Sequence, residues 1–325
     1  MFGWAKHLHD MGLLGMNQRN ADYVMAHNPR RLYPLVDDKL RTKKLAEAAN
    51  IAVPELYGTI EIEHDIPRLK DIVAEHHDFV IKPSQGSGGN GIVVIVGKRG
   101  DQYVKASGDL ITGEALRHHC SNILNGMYSL GGTADKAMIE YRVKFDPLFE
   151  HVSYRGVPDI RTIIFRGVPV AAMVRLPTRA SDGKANLHQG AVGAGIDLRT
   201  GETIRAVCRE RVITQHPDTG MDIPGLQIPH WDQLLELAAK CYDLAGLGYM
   251  GVDVVLDAEL GPLVLELNAR PGLSIQIANG MGMLKRLNKI DCMNTIPDSA
   301  IERAQLGQRL FGSAEEIPTA EQTTA

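Results

Sequence analysis

Apolar residues follow two rhythms along this 325-residue chain. One is the alternation or short continuous run of a strand; the other is the three-to-four spacing of a helix face. In VDDKLRTKKLAEAANIAVPELYG, Asp37 is placed to cap a helix whose apolar side is Leu45, Ala48 and Ala49, and Pro54 marks the exit into a strand. IPRLKDIVAEHHD reads as a second amphipathic helix. DFVIKP and GIVVIVG read as strands on either side of a glycine-rich loop. ITGEALRHHCSNILNGMYS reads as a helix, and KAMIEYRVKF as a strand that turns polar at Glu140. PDIRTIIFRGVPVAAMVRLP reads as a hairpin turning at Arg166-Gly167, and a further turn is expected at Thr200-Gly201. WDQLLELAAKCYDLAGLG presents Leu234, Leu237, Ala238 and Cys241 on one helix side. YMGVDVVLD and PLVLELN are strands joined by a short turn, and DSAIERAQLGQRLFG is a last helix before a polar tail expected to be disordered. Near the start, Trp4, Leu8, Met11 and Leu14 would share a core-packed helix face. Helices mixed with antiparallel hairpins predict an α+β fold.

Composition narrows the function. Of the residues, 44% are hydrophobic, 23% charged and 5% aromatic, with a net charge of -4. That balance speaks against a nucleic-acid binder or a general binder of anionic membranes. No apolar run approaches the ~18 residues of a membrane span. The N-terminus lacks a signal-peptide pattern, and the four cysteines form no CxxC pair, so a reduced cytoplasm is the expected compartment. The paired histidines at 76–77 and 118–119 read as solvated surface.

Three stretches carry candidate chemistry. GSGGNG at 86–91 fits G-x-G-x-x-G, but a strand follows it rather than a helix, which excludes the dinucleotide reading; the Walker A pattern also fails. Strand, glycine loop and strand instead make either a phosphate flap or a flexible hairpin turn. Lys82, at the end of an apolar strand, favours the flap, because a phosphate would supply its counter-charge. In GPLVLELNARPG, strict alternation sends Leu263, Leu265 and Leu267 one way and Val264, Glu266 and Asn268 the other. With Asp253 on the neighbouring strand, Glu266 and Asn268 are either three oxygen donors for a hard cation or a solvated sheet face. The turn that follows places Arg270 beside them. Finally, RLPTRASDGKANLHQG holds Arg175, Lys184, Asn186 and His188. The last three would share a face in an extended segment, as an anion-binding cluster or an ordinary polar loop.

Taken in order, Lys39 in DDKLRTKKLAEAANIAVP, Lys82 with its flap, MIEY, DIR, KANLHQG, GVD and ELNARPG resemble the ATP-grasp ligases, in particular the RimK-type alpha-L-glutamate ligase-like proteins, over about residues 37–280. The resemblance implies two α+β lobes with ATP between them and Mg²⁺ or Mn²⁺ as cofactor. Lys39 and Lys82 would meet the phosphates under a flap of Gly86, Ser87, Gly88, Gly89, Asn90 and Gly91. Glu140 and Tyr141 would lie on a hinge strand meeting adenine by its backbone, with Asp159 and Arg161 near the nucleotide. Lys184 and Asn186 would reach the phosphate end, with His188 in the same cluster. Asp253, Glu266 and Asn268 would hold the metal; Arg175 and Arg270 would stabilise the transferring phosphoryl group or the substrate carboxylate. The implied reaction joins a carboxylate, small-molecule or peptide, to an amine through an acylphosphate; a phosphotransferase and a non-catalytic nucleotide-binding regulator are the alternatives. Lys184 stands where that branch carries arginine. A full N-terminal domain before Lys39 is expected to be lacking, so glutamate as substrate does not carry over directly. The expected division is an N-terminal helical segment (1–36), a core of two lobes (37–137 and 138–290), and a C-terminal helix with its tail (291–325). Self-association into a homo-oligomer is left open.

Overall fold

The computed structural model describes residues 3–312 apart from Ser87 and Glu210. The polar tail after Gly312 therefore lies outside the described residues, as does Ser87 of the expected flap. Two antiparallel sheets organise the chain, which is α+β as its periodicity predicts. The smaller sheet holds β1 (Leu56–Ile60), β2 (Phe79–Pro83), β3 (Val93–Arg99), β4 (Gln102–Lys105), β5 (Leu110–Thr112) and β6 (Ala137–Glu140), in the order β1-β6-β2-β3-β4-β5. The larger holds β7 (Asp159–Phe165), β8 (Val168–Leu176), β9 (Val192–Ile196), β10 (Thr203–Cys208), β11 (Arg211–Ile213), β12 (Tyr249–Asp257) and β13 (Gly261–Asn268), in the order β11-β10-β9-β8-β7-β12-β13. The β7–β8 hairpin turns at Arg166 and Gly167, whose φ of 49° and 81° suit a tight turn matched to strand twist.

Each sheet has its own core. The smaller packs Phe79, Ile81, Ile95 and Ile139 against Leu116, Cys120 and Ile123 of helix Gly113–Leu124. The larger packs its strands against helix Trp231–Ala245 and also takes in segments from the first and last parts of the described residues. Leu14, Tyr23, Val24 and Val36 join it from the N-terminal segment, and Ala304, Leu306 and Phe311 from helix Ala300–Phe311. Ala46 and Ile51 lie in the larger core too, although the expected boundary at residue 37 assigns them to the smaller lobe. All of β6, which runs past the expected boundary at residue 137, belongs to the smaller sheet.

Several local expectations are corrected. Asp38, not Asp37, caps helix Lys39–Ala48, accepting from the N–H groups of Leu40 (2.9 Å) and Arg41 (3.1 Å). That helix buries Leu40, Thr42, Lys43 and Ala46, while Ala48 and Ala49 are exposed. The second amphipathic helix is only a 3₁₀ segment, Glu63–Arg68, and one α turn, Leu69–Ile72; Pro67 sits inside the former and removes a backbone donor. Met11 is exposed, off the packed face.

The largest correction concerns β13. Asp253 pairs with Glu266, but the next residue, Val254, pairs with Val264, which leaves Leu265 as a bulge. One extra residue inverts the alternation beyond it. Leu263, with Leu265 against it, therefore joins Val143 and Val255 in a small separate cluster, while Val264 and Leu267 both enter the main core. The three leucines do not share a face.

Candidate active site

Cross-strand register builds the site. On one face of the larger sheet, Arg161 of β7 lies opposite Asp253 of β12, which lies opposite Glu266 of β13. Two residues along β7, Asp159 lies opposite Arg175 of β8. Directly opposed side chains on one face are close enough to pair. Arg161 donates two hydrogen bonds to Asp253, at 2.7 Å to Oδ1 and 2.6 Å to Oδ2. Arg175 grips Asp159 (2.5 and 2.6 Å) and reaches Asp253 Oδ2 at 2.8 Å. Asn268 Nδ2 donates to the same Oδ2 at 3.3 Å. Burial would push Asp253 up, but the two guanidinium groups outweigh it and hold the carboxyl down at about 2. For Asp159 burial wins: Arg175 pulls down, the charge on Asp253 pushes up, and its pKa rises to about 6. Glu266 is the open member of the row; its side chain is 36% exposed and its nearest cation is Lys39 Nζ at 3.7 Å.

Among the described residues, no trio of His, Cys, Asp or Glu side chains converges as a metal site. The donors here are two carboxylates and an amide. They suit a hard divalent cation, and among the described residues Asp253 Oδ1 accepts from Arg161 Nε alone, which leaves it a lone pair.

The smaller lobe supplies the opposite wall. Asp38 accepts from Ser84 Oγ, fixing the start of helix Lys39–Ala48 against the strand that leads into the flap. Lys39 Nζ donates to the Gly86 carbonyl (2.5 Å) and so lies between flap and Glu266. Gly88, Gly89 and Gly91 have φ of 64°, 77° and 76°, the left-handed region that favours glycine. A Cβ added at Gly89 would lie 3.5 Å from Lys184 Cδ, and one at Gly88 would lie 3.8 Å from Asn186 Nδ2. Flap, Lys184 and Asn186 therefore meet.

Lys82 is buried, but its counter-charge is Glu140, whose other carboxylate oxygen accepts from Lys43. Burial would raise the Glu140 pKa; the two ammonium groups reverse that and lower it. The Glu140 side chain thus serves two lysines, whereas its expected role was a backbone one. The Tyr141 N–H is given to the Glu55 carbonyl (2.9 Å).

One further placement differs. Asn186 caps a 3₁₀ turn, Leu187–Gln189, by accepting from the His188 N–H at 3.0 Å. That turn breaks the extended alternation, and His188 is exposed. Arg270 is exposed and lies over the Tyr33 ring, 5.2 Å from its centroid. The turn carrying Arg270 is held by the N-terminal segment. Arg19 donates to the Pro271 carbonyl (2.7 Å), and Asn28 donates to the carbonyls of Ala269 (3.1 Å) and Tyr249 (2.6 Å) while accepting from the Tyr249 N–H (2.9 Å).

Sequence reasoning missed Lys43, Asn28 and His119. Lys43 stands three residues from Leu40 and three from Ala46, the spacing of the buried face, which was the available signal. His119 is half-buried rather than solvated; its Nε2 lies 2.9 Å from the Gly91 carbonyl, at the end of the flap, and burial lowers its pKa. Nothing local marked Asn28, because its partners lie more than two hundred residues away.

The model of one protein family, described as sugar-transfer associated ATP-grasp, matches residues 18–292. A probable alpha-L-glutamate ligase of Aeromonas salmonicida (strain A449) is 27% identical over 244 residues, 75% of this chain and 59% of the relative. Probable alpha-L-glutamate ligase 1 of Shewanella frigidimarina (strain NCIMB 400) is 27% identical over 253 residues, 77% of this chain and 61% of the relative. The chain thus spans about three fifths of the length of these curated relatives. Among solved structures, a D-alanine–D-alanine ligase from Bacillus anthracis complexed with ATP matches at 14% identity and a TM-score of 0.45, over 86% of this chain and 69% of that one.

Proposed function

The chain belongs to the sugar-transfer associated ATP-grasp family, and from that premise we propose that it is an ATP-dependent carboxylate–amine ligase. The observation that carries the reading is the row Arg161–Asp253–Glu266 on the larger sheet, with Lys39, at the start of helix Lys39–Ala48, between the Gly86 carbonyl of the flap and Glu266. Cations, hard oxygen donors and a glycine loop around one cleft are what a polyphosphate needs. Phosphoryl transfer asks mainly for positioning and charge neutralisation.

Lys39 and Lys82 bind the ATP phosphates beneath the flap, and the glycines let its N–H groups approach closely. The apolar patch of Val143, Val157, Val255, Leu263 and Leu265 lies on the same sheet face as the charged row and takes the base. Asp253, Glu266 and Asn268 would hold Mg²⁺ or Mn²⁺, which would neutralise phosphate charge when bound. A substrate carboxylate oxygen attacks the γ-phosphorus, the bond to the bridging oxygen breaks, and ADP leaves. The acylphosphate then takes an amine at its carbonyl carbon; phosphate departs and the nitrogen loses a proton, leaving an amide. Arg270 offers its planar fork to a carboxylate or the phosphoryl group, and Lys184 approaches from the flap side. Arg175, engaged by Asp159 and Asp253, acts through them by setting the charge of the row. No Ser, Cys or His nucleophile is required.

The names of the relatives make an amino acid, glutamate first, the substrate to try. The test is release of ADP and phosphate with Mg²⁺ as amino acids and peptides are supplied in pairs. Stimulation together with a condensation product by mass spectrometry supports the ligase. ATP binding without stimulation by any pair contradicts it, and a stable phosphorylated product would point to the phosphotransferase.

A further inference from the structure

The buried cluster of Lys43, Glu140 and Lys82 is not explained by folding alone. The three residues are 5%, 3% and 7% exposed and come from helix Lys39–Ala48, β6 and β2. Each oxygen of Glu140 is taken by one lysine: Oε2 by Lys43, Oε1 by Lys82. Lys43 also donates to the Pro54 carbonyl. Lys82 is the last residue but one of β2, four residues before the first glycine of the flap. Two ammonium groups against one carboxylate leave a formal surplus of one positive charge in a poorly hydrated place. Such a surplus is costly unless an anion meets it. A lone Lys82–Glu140 pair would be neutral, and its ammonium would be held by its own carboxylate.

We infer that Lys43 is a positioning residue for nucleotide binding: it neutralises Glu140, so that the charge of Lys82 is left for the ATP phosphates. Lys43 does not touch the nucleotide. It acts through Glu140, and its effect is electrostatic as well as structural. The inference rests on the proposal that ATP occupies this cleft.

The experiment measures the dissociation constant of ATP with Mg²⁺ by calorimetry, beside thermal melting, for the full chain and two variants. Lys43→Met removes the surplus charge, and ATP affinity is expected to fall about tenfold, roughly the effect of one unit charge near a polyphosphate in a partly screened site. Lys43→Met combined with Glu140→Gln restores the surplus, and affinity is expected to return to within about threefold of the wild type. A purely structural Lys43 would give no such rescue, because the double variant still lacks the Pro54 hydrogen bond. Equal affinity for Lys43→Met and wild type overturns the inference, as does a double variant that melts normally yet binds as weakly as the single one. If Lys43→Met does not fold, the double variant decides alone, since the glutamine side chain still offers the buried Lys82 a carbonyl oxygen; a tenfold loss there overturns the inference. A wild-type protein that binds no ATP would instead sink the functional reading on which it rests.

Discussion

Glu266→Gln and Asp253→Asn change one formal charge each on directly paired residues, yet the structure predicts opposite consequences for the fold. The Glu266 side chain is 36% exposed, and its nearest cation, Lys39, lies 3.7 Å away. A partly exposed pair at that distance contributes about 0–1 kcal/mol. For a chain of this size that is a melting shift of roughly 2 °C or less. Asp253 is buried and accepts from Arg161 twice and from Arg175 once, at 2.6–2.8 Å. Making it neutral leaves two guanidinium groups facing Asp159 alone, and breaking a buried pair in that way costs about 3–5 kcal/mol. Both variants should lose ADP release with Mg²⁺, by about a hundredfold or more, as expected where charge on transferring phosphate goes unneutralised. Urea unfolding followed by fluorescence, beside a coupled ADP assay, separates the two effects. Equal destabilisation by both substitutions, or wild-type turnover in Glu266→Gln, would refute the reasoning.

Other outcomes follow from single contacts. Asp159 has its pKa raised to about 6, so its ionisation opposes folding, and its contribution to stability falls as pH rises from about 4 through 6. Asp253, held at about 2, contributes stability that is full above about pH 4 and lost below it. Asp159→Asn should therefore gain on the wild type by up to ~3 kcal/mol between pH 4 and pH 7 in unfolding free energy; a constant gap would rule this out. Gly91→Ala forces a side chain onto a φ of 76° and brings Cβ to 2.5 Å from Tyr128 Cγ. It should cost about 2 kcal/mol and weaken ATP binding, as read by calorimetry. Asn28→Ala orphans a buried N–H and two carbonyls, with an expected loss of about 3 kcal/mol in urea unfolding. Arg270→Ala should raise the KM of the substrate while leaving ATP affinity near wild type; the reverse pattern would remove Arg270 from the substrate side.

What the sequence determined by itself was the set of regular elements and the order of the motifs. Strands such as DFVIKP and the hairpin at Arg166-Gly167 are legible because burial in a regular element repeats every two or three to four residues, and a turn needs particular residues at particular places. The ATP-grasp likeness, and the oxygen donors Asp253, Glu266 and Asn268 on paired strands, came from the same local information. The tertiary structure decided what no window could hold. The bulge at Leu265 reassigns the leucines of β13 because its register is fixed by β12, not by its own alternation. Lys43 and Glu140 are 97 residues apart, so only chain folding reveals that Lys82 has a protein counter-ion and a competitor for it. The grip of Arg19 and Asn28 on the turn at Ala269–Pro271 spans more than two hundred residues. Local periodicity records which side of an element is buried; which charges meet there depends on elements distant in sequence packing together.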